Sequence, residues 1–349
     1  MGKLAVFKYF SFLFLIVTFL VMFFTFAALF GGHTSPVGNT ALAMLVYILP
    51  ILIIANIVIL AYWLLRRRWH WAAFPFITIL CCIPYIGTIH QLRVQPSDTK
   101  AGLKIATYNV ALFGRETSGF KAEDILAQMK KQKVDVLCFQ EYLNISGDKK
   151  NSDSYQEFFP YMATGRNDMV IYSRYPIKQS KTIEFEQTNN SAMWADIDVN
   201  GQDIRVFNVH LQTTGINSTL RHAGKMALQG IDIENNIFIK LIYGNYTRGM
   251  LVRARQAEKV AAEQKASKNP VVVCGDFNDV PYSYVYNTML GDLTDGFKEC
   301  GSGYMFTYRG NKKVRIDYIF HDKSLKGISY YMQDLSYSDH YPVFMKLEI

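Results

Sequence analysis

Three long apolar segments without charged residues dominate the first part of the chain. They run from Tyr9 to Phe30, from Ala41 to Leu65 and from Trp71 to His90. The first two are each long enough to cross a hydrocarbon core, which takes about 20 helical residues. The third has a suitable length and contains two prolines, which membrane helices tolerate. The pattern predicts three transmembrane helices that form a membrane anchor over residues 1–90, with a cleaved signal peptide as the alternative for the first segment.

Lysines and arginines between these segments predict their orientation. Lys3 and Lys8 precede the first segment, residues 31–40 contain neither Lys nor Arg, and Arg66–Arg68 follow the second segment. Because Lys and Arg are enriched in cytoplasmic loops, the order in–out–in–out fits best. We therefore expect a multi-pass protein of the plasma (inner) membrane whose remaining chain is extracytoplasmic or periplasmic. If the third segment only dips into the interface, that chain is cytoplasmic instead.

A different pattern follows a short polar segment, residues 91–102, which we interpret as a linker. From Leu103 onward, short apolar and β-branched runs alternate with turn signals, which is typical of strands. Eight runs are strand candidates: 103–110, 134–140, 169–173, 193–199, 204–211, 271–276, 316–320 and 343–349. Helices are predicted over Lys121–Lys133 and Arg248–Lys268. Many strands with few intervening helices favour a single α/β domain over 103–349, with two packed sheets flanked by helices.

Net charge gives no electrostatic support for nucleic-acid binding, and cysteine usage gives none for a zinc site or a disulfide framework. Of the 37 Lys and Arg residues, seven precede residue 101, as does one of the 29 acids, so the remaining chain carries 30 basic and 28 acidic residues. The formal charge of +8 therefore belongs mostly to the anchor, and the predicted domain lacks the basic excess typical of nucleic-acid binding. The five cysteines have no zinc-type spacing and are interpreted as small buried side chains.

Polar side chains stand at or just beyond the ends of several predicted strands. These residues are Asn109, Glu141, His210, Asp276, Asn278, Asp317, Asp339 and His340. Such a set would be costly to bury without a cation or mutual pairing. Oxygen ligands suit Mg²⁺, which typically takes only one or two protein carboxylates and leaves the other acids for proton transfer. Each position also has a structural alternative, such as a strand cap at Asn109 or a core histidine at His210.

The same residues lie in seven short motifs whose order is that of a known family. The motifs are TYNV (107–110), QE (140–141), YSRYPI (172–177), NVHL (208–211), GDFNDVP (275–281), RIDYIF (315–320) and SDHYPV (338–343). In this set the chain resembles the endonuclease/exonuclease/phosphatase superfamily, which includes deoxyribonuclease I, neutral sphingomyelinases and inositol polyphosphate 5-phosphatases. The resemblance covers nearly all of 101–349. It implies a four-layer α/β/β/α sandwich of two mixed sheets, with the site at one edge.

The resemblance also implies roles for the individual residues. The implied metal ligands are Asn109, Glu141 and Asp339. The implied catalytic residues are His210, Asp276, Asn278, Asp317 and His340. Mg²⁺ is the expected cofactor, with Mn²⁺ as the alternative, and the reaction is in-line attack by water on a phosphoester. Either Asp276 or His340 is the expected base, and Arg174 is an even choice between pairing with a site acid and standing elsewhere.

Three functions remain open for this sequence. The favoured one is a phosphoester hydrolase at the membrane that acts on a lipid head group or another extracytoplasmic phosphoester. The alternatives are a DNA or RNA nuclease and a non-catalytic membrane scaffold. The expected partners are the lipid bilayer, through the N-terminal helices, and the phosphoester substrate, and no protein partner is inferred. A long stretch, 212–247, departs from the compact family pattern. Core packing is its expected role, and a substrate lip or bilayer contact is the alternative.

Overall fold

The computed structural model describes residues 3–94, 100–166, 168–186, 188–215, 219, 224–226, 228, 235–310 and 313–349. The chain divides into two compact units. The first comprises Met1–Thr88 with Pro281–Asn287, and the second comprises Ile89–Val280 with Thr288–Ile349. The central residues of the predicted linker, 95–99, lie outside the described residues. The predicted domain boundaries therefore stay a prediction.

The first unit is built from apolar helices. Its helices are α1 (Lys3–Gly31), α2 (Thr40–Met44), α3 (Leu49–Leu65), α4 (Trp69–Cys81) and α5 (Ile83–Ile86), with a 3₁₀ turn at Leu45–Ile48. Three segments are long and apolar enough to cross a membrane: Tyr9–Gly31 with 23 residues, Thr40–Leu65 with 26 and Trp69–Ile86 with 18. The three predicted apolar segments are therefore present as helices.

Two hydrogen bonds between side chains join α1 to α3. The Asn56 amide donates to Thr25 Oγ1 at 2.9 Å, and the Trp63 indole donates to Thr18 Oγ1 at 3.0 Å. Polar side chains between helices in an apolar medium are held by such bonds, because the medium offers them no other partner. The threonines and their partners therefore fix how these two helices pack.

The second unit contains two sheets of six strands each. In the first sheet the order is β13 (Lys326–Met332), β14 (Val343–Glu348), β2 (Leu103–Asn109), β3 (Val136–Gln140), β5 (Val170–Ser173) and β4 (Tyr161–Thr164). In the second sheet it is β10 (Thr294–Asp295), β12 (Asp317–His321), β9 (Val271–Asp276), β8 (Gln202–His210), β7 (Ser191–Val199) and β6 (Ile177–Glu184). A separate pair joins β1 (His90–Gln91) to β11 (Gly303–Tyr304). Both large sheets are mixed, because β2–β3 and β8–β9 are parallel and the other pairs are antiparallel.

The helices after Leu103 include α6 (Ala122–Lys131), α7 (Lys149–Phe158), α8 (Asn235–Lys265), α9 (Tyr284–Leu290) and α10 (Gly296–Cys300). α6 and α7 pack on the outer face of the first sheet, whereas α10 contributes Phe297 and Cys300 to the cluster between the two sheets. Acids in the first turn of α6 and lysines in its last turn complement the helix dipole. The predicted helix over 121–133 is thus present. By contrast, the helix predicted to begin at Arg248 begins at Asn235, so its predicted start was wrong.

The core explains why the strands have their sequences. Along β2, Leu103 and Ile105 lie in the cluster between the two sheets, whereas Ala106 and Tyr108 lie in the cluster shared with α6 and α7. Successive side chains of a strand point to opposite faces, so a strand covered on both sides is apolar throughout. On the other outer face, Trp194 of β7 donates to Glu263 of α8 at 3.4 Å. The predicted four-layer α/β/β/α fold is confirmed.

Candidate active site

Strand pairing brings the polar strand ends together at one edge of the sandwich. Within the first sheet, Asn109 is the register partner of Gln140, which immediately precedes Glu141. Within the second sheet, Asp276 is the register partner of His210 on one side and of Asp317 on the other. Five predicted site residues thus reach the same edge because of backbone hydrogen bonding.

Asp276 lies at the centre of this cluster and is buried. Its carboxylate accepts hydrogen bonds from Asn278, through the backbone N–H at 2.8 Å and the side-chain amide at 3.1 Å. The Asn109 amide donates both to Asp276 Oδ2 at 3.2 Å and to Glu141 Oε1 at 3.0 Å, so it bridges the two sheets. Burial raises the pKa of Asp276 to about 6, although the His340 imidazole opposes the shift.

His340 and Asp317 form a buried carboxylate–histidine pair beside Asp276. His340 Nδ1 lies 3.0 Å from Asp317 Oδ2, and Nε2 lies 3.6 Å from Asp276 Oδ2. Burial by itself lowers the pKa of His340, but the carboxylates of Asp317 and Asp276 outweigh it and raise the pKa to about 10. His340 is therefore an imidazolium at neutral pH. Its backbone N–H donates to Ser338 Oγ, which itself donates to the Asn109 carbonyl at 2.8 Å.

A second carboxylate–histidine pair lies on the other side of Asp276. His210 Nδ1 is 2.8 Å from Asp168 Oδ2, and its Nε2 lies 3.9 Å from Glu141 and 4.0 Å from Asp276. Burial acts to lower the pKa of His210, but the Asp168 hydrogen bond and the nearby carboxylates raise it overall. The sequence did not predict Asp168 as a site residue. The predicted site residues were chosen because they end apolar runs, whereas Asp168 comes directly before the apolar run 169–173. A polar residue at the start of a strand is the sequence feature that could have identified it.

Unusual backbone conformations accompany the site. Glu141 and Asn278 have φ of 48° and 51°, a left-handed conformation that is rare for residues other than glycine. Such positions persist where surrounding structure enforces them and are frequent at functional sites. Gly275 has φ of 135°, and a Cβ there would lie 1.9 Å from the Val209 carbonyl oxygen. Only glycine therefore lets β9 approach β8 closely enough to set Asp276 beside His210.

Asp339, the third implied metal ligand, contributes its charge to the surroundings of His340. Its side chain is exposed, and Ser338 Oγ approaches its Oδ1 at 3.5 Å. Its backbone carbonyl accepts a hydrogen bond from the Arg309 N–H at 2.8 Å. Among the described contacts, those of its carboxylate are with Ser338 rather than with Asn109 or Glu141. Its metal role stays a prediction.

The donor chemistry of the cluster distinguishes two kinds of site. Asp276, Asp317 and His340 offer ligand atoms within 4.8 Å of one another. However, both His340 ring nitrogens already face carboxylates, and a protonated imidazole is not a metal ligand. That group suits proton transfer. Glu141, with a side chain 44% exposed, offers carboxylate oxygens at the open side of the cluster, which fits a hard divalent cation such as Mg²⁺. Asn109 is buried, and its Oδ1 accepts from the Ala111 N–H at 3.2 Å.

A buried network of uncharged side chains lies behind the site. The Gln140 amide donates to Thr107 Oγ1 at 3.0 Å and to Asn208 Oδ1 at 2.6 Å, and the Asn208 amide donates to the Phe139 carbonyl at 2.9 Å. The network joins β3 of one sheet to β8 of the other. Thr107, Gln140 and Asn208 belong to the motifs TYNV, QE and NVHL, so part of each motif holds the two sheets in place rather than taking part in chemistry.

Two motif arginines lie away from the acids of the site. Arg174 pairs with Asp135 at 3.0 Å, and Asp135 accepts from the Lys104 N–H at the opposite end of β2 from Asn109. Arg315 forms two hydrogen bonds with Asp295, at 2.7 and 2.8 Å, and neither side chain is exposed. Both arginines therefore have structural partners.

Comparison with known families gives two matches along the chain. The model described as the Endonuclease/Exonuclease/phosphatase family matches residues 106–340, and a model described as a domain of unknown function matches residues 11–89. None of the curated proteins matches this sequence. The matched ranges separate the apolar helices from the region that carries the site.

Several solved structures share the fold of most of this chain. Humanized D. rerio TDP2 has a TM-score of 0.52 at 17% identity, covering 72% of this chain and all of that chain. An endonuclease/exonuclease/phosphatase from Bacteroides vulgatus gives the same values. One from Beutenbergia cavernae gives 0.52 at 16% identity, covering 72% of each chain. At these identities the likeness shows the fold alone.

Proposed function

The chain belongs to the endonuclease/exonuclease/phosphatase family, whose model matches more than half of it, and on that premise we propose that it is a membrane-anchored, Mg²⁺-dependent phosphoester hydrolase. Members of this family hydrolyse phosphoester bonds. The proposed substrate is a lipid head group or another extracytoplasmic phosphoester.

One observation carries the proposal. A buried carboxylate, Asp276, lies between two histidines whose far ring nitrogens are each held by an acid, Asp168 for His210 and Asp317 for His340. Acids that hold the Nδ1 of a histidine fix its tautomer and orient the ring. Pairs of titratable groups with displaced pKa values are typical of acid–base catalysis. A scaffold has no physical reason to gather four carboxylates around two histidines.

The displaced pKa values of Asp276 and His340 favour different roles for these two groups. At neutral pH Asp276, with a pKa of about 6, is mostly ionised, whereas His340, with a pKa of about 10, is protonated. We therefore assign Asp276 as the acceptor of the proton from the attacking water. Asn278, whose amide also donates to the Leu211 carbonyl at 2.9 Å, is held in place to orient that water.

The remaining groups act on the phosphoryl oxygens. His340 and His210 present N–H groups that can stabilise negative charge as it develops, and His210 can assist the leaving group. A divalent cation held by Glu141 and Asn109 would neutralise charge on a non-bridging oxygen. Water attack in line with the leaving group needs no covalent intermediate on this chain.

The membrane location in the proposal rests on the three candidate spans and their flanking charges. Arg66, Arg67 and Arg68 follow the second span, and the loop before it lacks Lys and Arg. The catalytic region is then extracytoplasmic. Added protease should degrade residues 103–349 in right-side-out spheroplasts but not in sealed inverted vesicles. The reverse result would place the region in the cytoplasm.

The substrate class is tested with the full-length chain purified in detergent. Rates are measured with Mg²⁺ and with EDTA on three substrates: bilayer phospholipid, bis-p-nitrophenyl phosphate and supercoiled plasmid. We expect Mg²⁺-dependent hydrolysis of the first two, abolished by Asp276→Asn. The matched control is Asp153→Asn, at an exposed position on α7.

Each other result points to a different function. Plasmid nicking that exceeds lipid hydrolysis and disappears in Asp276→Asn would replace the lipid proposal with a nuclease. If the folded protein hydrolyses no phosphoester with either Mg²⁺ or Mn²⁺, the result would support the non-catalytic membrane scaffold.

A further inference from the structure

Four large apolar side chains in the first half of α8 are exposed, whereas Phe238 and Ile242 between them are partly buried. Ile237, Ile239, Leu241 and Tyr243 are 50, 63, 47 and 55% exposed. Core packing, the expected role of this stretch, is therefore wrong for these four residues. Parts of the stretch, 216–218, 220–223, 227 and 229–234, lie outside the described residues. We call residues 237–243 the apolar segment.

The second half of the same helix is firmly packed. Ala254, Ala257 and Val260 are fully buried. Arg253 is also buried, with its guanidinium 3.4 Å from Asp279 Oδ2 and donating to the Gln212 carbonyl at 3.0 Å. The helix is thus fixed to the domain from about Arg253 onward, and its first half extends away from that anchor point.

The anchor point lies beside the active site along the chain. Gln212 follows His210 by two residues, and Asp279 comes directly after Asn278. Because an α-helix rises 1.5 Å per residue, Ile239 lies about 21 Å along the helix from Arg253. The apolar segment therefore lies about 15–24 Å along the helix from a residue that is anchored next to the site.

The distribution of apolar side chains indicates what surrounds the segment. At about 100° per residue, Ile237 and Leu241 share one side of the helix, and Ile239 and Tyr243 share the opposite side. A groove on a protein partner meets one stripe of a helix, whereas apolar residues on opposite sides suit a continuous apolar medium. Tyrosine is also enriched where such a medium meets water.

Charge points to the surface of a bilayer. No acidic residue occurs between Glu234 and Glu258, and the exposed Lys240 and Arg248 lie within and just after the apolar segment. Basic residues beside exposed apolar ones are typical of helices that bind membranes with anionic lipids. The same chain carries three helices long and apolar enough to cross a membrane, so its own bilayer is the nearest apolar phase.

We propose that the apolar segment of α8 enters the outer part of the lipid bilayer and directs the active-site edge towards phosphoesters at the membrane surface. The bilayer contact stands independently of the proposed function, whereas the inference about the substrate rests on it. Together they narrow the proposed substrate to lipid phosphoesters presented in a membrane.

The contact is measured without reference to activity. The full-length chain with Cys81→Ser and Ile239→Cys, labelled with an environment-sensitive fluorophore, is placed in nanodiscs of phosphatidylcholine and phosphatidylglycerol. Lipids with a nitroxide near the head group should quench the label about twofold, because interfacial helices insert to about 5–10 Å. The matched control is Lys323→Cys, exposed just beyond β12 at the end opposite Asp317. Equal quenching at both positions, or none at residue 239, would overturn the contact.

A second measurement separates the contact from catalysis. Ile237→Asp with Ile239→Asp should slow hydrolysis of phospholipid in nanodiscs by about tenfold or more, since each isoleucine loses its burial in lipid. Hydrolysis of water-soluble bis-p-nitrophenyl phosphate should be unchanged. Ala262→Asp with Ala266→Asp adds the same charge at exposed positions near the other end of α8 and should leave both rates unchanged.

The outcomes distinguish this inference from the proposed function. Quenching at residue 239 without hydrolysis of any phosphoester would support the bilayer contact and overturn the proposed function. Hydrolysis of lipid without quenching would do the opposite. A blue-shifted but unquenched label, found only in discs that hold two copies, would overturn the bilayer contact and assign the segment to a second copy of the chain.

Discussion

Two groups of buried charged side chains in the second unit differ in how their charges are balanced. In one, Arg315 and Asp295 form a closed pair, and the guanidinium also lies over the rings of Phe297 and Tyr318. In the other, Asp276 shares its surroundings with further carboxylates, and two histidines are the nearby cations.

The difference separates structural from catalytic burial of charge. A buried pair with balanced charge holds its groups in one state and is costly mainly when one partner is removed. A cluster with surplus negative charge displaces pKa values and attracts a cation, at some cost in stability. The balance of charge, rather than burial alone, therefore distinguishes the proposed catalytic group from the structural pair.

The largest expected effect is on activity, from Asp276→Asn. This variant should lower kcat by at least about 10³-fold, since the proton acceptor is lost. The variant should still fold, because the substitution keeps the size of the side chain, and the thermal unfolding temperature of the full chain checks this. Activity within tenfold of the original chain would show that Asp276 is not the base.

The next effect is on stability, from Asp295→Asn. Removal of one partner of the closed pair should lower the free energy of unfolding by about 3–5 kcal/mol, because Arg315 is left buried without its counter-charge. The kcat of the folded fraction should be unchanged. Denaturant titration in detergent measures the first quantity. If Asp295→Asn were neutral in stability, the proposed contrast between the two clusters would be lost.

A smaller effect is expected from Asp168→Asn, which keeps the size of the side chain but removes its charge. Orienting acids of this kind typically contribute about 10–100-fold, so kcat should fall by that factor. In a His210→Gln background the same change should add little, since both residues act through one imidazole. Additive losses in the double variant would show that Asp168 acts independently of His210.

The smallest effect is a gradual one with pH. Because burial raises the pKa of Asp276 to about 6, the carboxylate is lost as pH falls through that value. Activity should therefore fall about tenfold per pH unit below about 6. The contribution of Asp276 to folding stability changes with pH in the opposite direction to activity. A raised pKa in the folded state contributes stability at acid pH, and this contribution is lost as pH rises through about 6. Rate–pH profiles test the first statement, and unfolding of Asp276→Asn across the same range tests the second.

The hydrophobic pattern predicted the central strands and missed the edges of the sheets. All strands with neighbours on both sides, such as β2 and β9, overlap predicted runs. The four edge strands were not predicted: β4, β6, β10 and β13. In β6, IKQSKTIE, most side chains are exposed, so the strand carries no apolar signature. Edge strands are defined by their neighbours in space, which a local pattern does not contain.

The site was partly predictable for a related reason. A polar residue at the end of an apolar run marks a strand end, and strand pairing brought five of the eight predicted residues to one edge. Asp168 and the closed pair at Arg315 depend on where a loop or a short helix folds back, which no local pattern encodes. The prediction of core packing was wrong for the exposed residues of the apolar segment. Apolar composition shows that a segment avoids water, but it does not distinguish a protein core from another apolar environment.

The register of the central strands separates the residues proposed for the chemistry from the insertion proposed to select the substrate. His210, Asp276 and Asp317 are consecutive register partners across β8, β9 and β12, so about 4.8 Å of strand spacing sets their separation. The geometry that we propose for bond cleavage is therefore set by the pairing of the backbone. The parts of 212–249 that the structure describes lie outside these strands and supply none of the three register partners. A change in this insertion is therefore expected to alter which substrate reaches the site before it alters the spacing of these groups.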